Sequence, residues 1–71
     1  MTEDALAGAE RRVREAERHV AHLIVIIDEL DSDRHPEAAA KARDVLATLE
    51  HSLELAREAL RRERQERGLE P

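Results

Sequence analysis

The sequence predicts an all-α protein: an antiparallel two-helix hairpin of coiled-coil character that dimerises into a four-helix bundle. Three observations predict it. Apolar residues recur at alternating spacings of three and four through two long stretches, and one cluster of turn residues ahead of Pro36 separates them. The two apolar stripes also match each other when the chain is folded back on itself. Such spacing is the seam of a left-handed coiled coil, because 3.5 residues per repeat keeps one face of a helix against its partner.

The 71 residues are read as a single domain. Its first element is a helix from about 3 to 31. Thr2 is placed to cap it, with Glu3 and Asp4 in the first turn against the positive end of the helix dipole. Its seam runs Leu6, Ala9, Val13, Ala16, Val20, Leu23, Ile27, Leu30. The polar run Asp31-Ser32-Asp33-Arg34-His35 has no periodicity and forms the turn, at about 32–35. Pro36 then starts the second helix, about 36–67, since its missing N–H costs nothing at the first helical position. Glu37 follows it at the positive helix end. The second seam runs Ala39, Ala42, Leu46, Leu49, Leu53, Ala56, Leu60, with Glu63 next in register. Gly68 is a fitting stop before a short tail.

In an antiparallel hairpin a positions meet d positions, and here each facing pair sums to 69. Leu30 meets Ala39, Ile27 meets Ala42, Ala16 meets Leu53, Val13 meets Ala56 and Ala9 meets Leu60. Large side chains face small ones in these layers, so the helices can stay evenly spaced without voids. Leu23 with Leu46 and Val20 with Leu49 fill the middle. Leu6 with Glu63 breaks the pattern, and fraying is expected there. On the e rim, Arg57 falls between Glu10 and Glu17, the right sign for an ion pair that helps set the register.

A single seam rich in Ala buries little. More apolar surface lies beside it: Ile24, Val25 and Ile26 near the turn, with Val45 and Leu55 off the second seam. These five residues are the expected oligomer interface, since exposed apolar patches mark interaction surfaces. The expected partners are a second copy of the chain and another protein.

Composition excludes several other classes. No cysteine means no disulfide, no thiolate metal ligand and no thiol nucleophile. No aromatic residue means no base-stacking platform. The longest apolar run, Leu23 to Ile27, is five residues against the roughly 20 of a membrane helix, so no membrane association is expected. The N-terminus is acidic where a secretory signal is basic, and a cytoplasmic protein is the expectation.

The candidate chemistry is sparse. His19 and His22 stand three apart, with His51 at a similar height in the folded hairpin; this is the low-ranked candidate for a metal- or pH-sensing cluster in a dimer. The three occupy g, c and f positions and diverge, so surface histidines are the simpler reading, and neither a resident metal nor another cofactor is expected. No Glu has His three residues later, as di-iron bundles require. No buried Ser/His/Asp set and no glycine-rich phosphate loop is present. An enzyme is not expected.

Arg57, Arg61, Arg62, Arg64 and Arg67 make the end of the second helix basic, while the segment Asp28 to Glu37 is acidic. The hairpin is thus a dipolar rod. The arginines are the candidate nucleic-acid contact, but interspersed Glu and the formal charge of −5 disfavour that reading against a solvated helix end.

From Ala16 to Leu60, the runs Glu17-Arg18-His19-Val20-Ala21, Asp28-Glu29-Leu30, Asp33-Arg34-His35 and Leu46-Ala47-Thr48-Leu49-Glu50 resemble a group of short alphaproteobacterial helical-hairpin proteins. The chain departs from that group with Arg34 in place of a turn Gly and Leu49 in place of Phe. The resemblance implies a hairpin and no activity. By architecture alone the chain is similar to the repressor-of-primer hairpin, whose dimer binds paired RNA loops, an analogy that carries no residues over. The functional expectation is a non-catalytic interaction or regulatory module, with binding of structured RNA as the alternative.

Overall fold

The computed structural model describes residues 4–68. Among them are two helices and no strand: α1, Ala5–Ser32, and α2, Pro36–Glu66, packed against each other. No helix among the described residues is long and apolar enough to cross a membrane.

The start of α1 differs by two residues from expectation. Asp4 does not lie in the first turn; it is the N-cap, and its carboxylate accepts from the Ala7 N–H at 2.7 Å. A short carboxylate in extended backbone reaches that orphan donor and also meets the helix dipole, which serves both needs at once. Thr2 and Glu3, expected at the cap and first turn, lie outside the described residues, as do Leu69, Glu70 and Pro71.

The turn is built by a Schellman closure of α1. The His35 N–H donates to the Leu30 carbonyl at 2.9 Å and the Arg34 N–H to the Asp31 carbonyl at 3.2 Å. This geometry requires a left-handed residue between them, and Arg34 takes it with φ +59°. Pro36 then occupies the first turn of α2, with Glu37 beside it. α2 ends one residue earlier than expected, at Glu66. Gly68, at φ +72°, donates its N–H to the Gln65 carbonyl and performs the stop read from the sequence.

Every expected seam residue is buried or half-buried, from Leu6 to Leu30 and from Ala39 to Glu63. Ion pairs across the helices establish the register independently. With Leu6 at a, an e position lies one residue after d and four after a. Facing e positions should therefore sum to 74, five more than the seam pairs. Asp31 with Arg43, Glu17 with Arg57 and Glu10 with Arg64 all do. Both helices run through the Leu6–Glu63 layer where fraying was expected. The Glu63 carboxylate there accepts from Arg67 Nε at 3.2 Å, and Arg67 also reaches Asp4 on α1 at 3.8 Å.

The molecule is one layer of helix, 49 × 27 × 14 Å. Its thickness is little more than the about 10–12 Å of a single helix with side chains. The apolar side chains that are buried among the described residues are Ala9, Ile27, Ala39 and Leu53.

Candidate functional site

A single layer of two helices has two flat sides. Side chains at e and b project from one, and those at g and c from the other. The two sides differ in chemistry.

On the e/b side, Arg57 Nη2 stands 3.5 Å from Glu17 Oε2 and Arg64 Nη2 4.0 Å from Glu10 Oε2, while Arg43 pairs with Asp31. All six groups are exposed or half-buried, so each pair is screened and contributes only a fraction of a kcal/mol, about 0.2–1. Their value is positional, because together they staple one rim along its length. Arg14, Asp28, Glu50, Glu54 and Arg61 add further charge to this side, beside Ile24 and the small Ala7, Ala21, Ala40 and Ala47.

The g/c side carries Ala5, Gly8, His19, His22 and Ile26 on α1 and Ala38, Val45, Thr48, Ser52, Leu55 and Ala59 on α2, with Arg12, Glu15, Glu29, Lys41, Arg62 and Glu66 among them. At the open end, Ala5, Gly8 and Arg12 share a shallow hollow with Ala59 and Glu63. No ion pair joins the two helices on this side among the described residues. The large buried seam residues, Ile27 and Leu53, are at a; the other large seam residues, at a (Leu6, Val13, Val20, Leu46, Leu60) and at d (Leu23, Leu30, Leu49) alike, are half-buried.

The five residues expected at an oligomer interface divide between these surfaces. Val45 and Leu55, each 52% exposed, stand at g and c of α2 with half-buried Ile26 at g of α1. Ile24, 51% exposed, is at e on the opposite side, and Val25, 54% exposed, is at f on the outer edge.

Four of the five candidate nucleic-acid arginines are engaged by carboxylates. Arg57 and Arg64 pair across the hairpin, Arg62 lies 3.9 Å from Glu58, and Arg67 contacts Glu63 and Asp4. The sequence pattern foretold only the pairing of Arg57. The e-to-e spacing was the signal that could have found those of Arg43 and Arg64.

His19 and His22 lie exposed at mid-length of the g/c side, while His51 is at f, on the outer edge of α2. Among the described residues no group of three or more His, Asp or Glu is disposed to hold a metal ion. No polar or charged side chain among the described residues is buried.

No family model, curated protein or solved structure matches the chain.

Proposed function

We propose that this chain is a non-catalytic interaction module of the cytoplasm, a helical hairpin that acts as a homodimer and presents a bundle surface to another protein in a regulatory role. The observation that carries this reading is the single layer with large aliphatic side chains about half exposed on its surface. Helices are stable in water chiefly through burial of an apolar face, and domains ordinarily achieve it with at least two packed layers. A hairpin this thin is one layer of such a domain, and a second copy supplies the other at no cost in new sequence.

The non-catalytic part of the reading is supported by solvent reaching every charged side chain described. Catalytic groups are tuned by desolvation and fixed partners, which an open layer does not provide. The RNA-binding alternative is less favoured, because carboxylates already compete for Arg57, Arg62, Arg64 and Arg67.

Sedimentation equilibrium between 1 and 100 μM tests the reading (roughly micromolar association being the range expected for a small interface). A mass twice the 8.1 kDa of the chain is expected in the upper part of that range. A single 8.1 kDa species throughout would overturn the dimer.

A further inference from the structure

We infer that the second copy docks on the g/c side of the layer, with the acidic turn of each copy lying over the arginine-bearing open end of the other. This rests on the self-association proposed above and adds to it the surface and the orientation.

The surface follows from what each side already does. On the e/b side, Asp31–Arg43, Glu17–Arg57 and Glu10–Arg64 neutralise one another within the hairpin, and covering them would desolvate six charges that already have partners. On the g/c side Val45 and Leu55 are about half exposed, with half-buried Ile26 on the same face. A flush copy gains apolar burial there. The side measures up to 49 × 27 Å, room for more than the about 800 Å² per partner of a stable interface.

The occupant follows from charge. The g/c side carries Arg12, Lys41 and Arg62 against Glu15, Glu29 and Glu66, neutral and of both signs, as a surface that binds its own copy requires. Arg12, Glu29 and Lys41 make no ion pair among the described residues. The orientation follows from the ends. Asp28 to Glu37 is net −4 (five acids, one Arg), whereas Arg57 to Arg67 is net +2 (five Arg, three Glu). A twofold axis across the rod places each acidic turn over a basic end. It also sets Val45 of one copy against Leu55 of the other when the axis falls level with His19. The Arg12 stem then crosses Ile26 of the second copy, with its guanidinium within a turn of that copy's Glu29. Lys41 and Arg62, at c of α2, extend their long stems toward the outer edge, where their head groups stay in solvent.

Two sets of variants and one distance test this. Val45→Glu with Leu55→Glu is expected to weaken the dimer by about a hundredfold or more, since it buries four uncompensated carboxylates. Ile24→Glu with Val25→Glu should leave the dissociation constant within about threefold. Because the first double variant can lose helix once monomeric, a charge swap provides a second arm. Arg12→Glu should weaken the dimer about tenfold, and adding Glu29→Arg should restore most of the loss. The native chain has no cysteine, so Ser32→Cys carries a single spin label at the turn. The two labels in the dimer should lie far apart, about 40 Å, since an axis level with His19 leaves about 26 residues of helical rise between the two turns. A dimer that survives the Val45/Leu55 change, or is lost only with Ile24/Val25, overturns the surface while leaving self-association standing. A short label distance, or a swap that restores nothing, overturns the orientation. A native chain monomeric throughout removes the underlying reading as well.

Discussion

The two flat sides of this hairpin are built from the same heptads and differ in what occupies the flanking positions. On one side the e residues form a ladder of exposed ion pairs, each weak, that fixes the register of α1 against α2. On the other, g and c residues are small, aliphatic or sparsely charged, and no ion pair spans the helices among the described residues. The stapled side makes a particular hairpin out of two amphipathic helices. The open side carries Val45 and Leu55 about half exposed, and it is the side on which we propose the second copy docks. In the proposed dimer, a charged rim on one side and an apolar face on the other would direct which way the second layer stacks.

The largest effect should come from the seam both sides share. Leu53→Ala removes one of the two large buried side chains, and a loss of about 2–4 kcal/mol in urea unfolding is expected. In so small a domain that approaches its whole stability. Leu55→Ala, two residues away, separates the two sides: it should cost much less than Leu53→Ala, yet gain in effect as protein concentration rises. Equal effects of the two truncations at all concentrations would break the distinction between seam and docking side.

The turn sets the next scale. Arg34 holds the left-handed position of the Schellman closure at φ +59°, a conformation that glycine adopts without strain. Arg34→Gly should raise stability by about 0.5–1 kcal/mol, readable as a higher thermal midpoint. A drop would mean that the Arg34 side chain makes a contact worth more than the backbone strain. Gly8 poses the opposite test. It lies inside α1, and a Cβ added there meets nothing within 4 Å in the isolated hairpin. Gly8→Ala should therefore add about 0.5–1 kcal/mol to helix stability in dilute solution. If the gain is cancelled on association, another helix approaches Gly8, which sharpens the assignment of the g/c side.

The smallest effect belongs to the staples. Arg57→Ala should cost about 0.3–0.5 kcal/mol at low salt, fading as ionic strength rises. A loss several times larger, and insensitive to salt, would show that the rim carries stability as well as register.

Much of the fold was legible in the sequence, since heptad spacing is a direct record of which face of a helix is covered. The seam from Leu6 to Leu60, Pro36 at the start of α2 and Gly68 past its end could be read without coordinates. The start of α1 was misread because Thr2 and Asp4 are both good caps and propensity alone does not rank them; backbone geometry selects Asp4. Arg34 gave no sign of its left-handed backbone, which side-chain chemistry does not encode. The candidate surface was only half legible. Ile24, Val25 and Ile26 are adjacent in sequence and so read as one patch, but consecutive residues on a helix are 100° apart and these three face three directions. Only Ile26 shares a side with Val45 and Leu55.

The central claim is that this hairpin is one layer of a two-layer fold, and the dependence of its unfolding midpoint on protein concentration tests that most directly. For a chain folded through association, mass action predicts that the urea midpoint rises steadily with concentration from low micromolar upward, all probes moving together. A cooperative transition whose midpoint stays fixed over that range would contradict the account and show the single layer to be a complete fold.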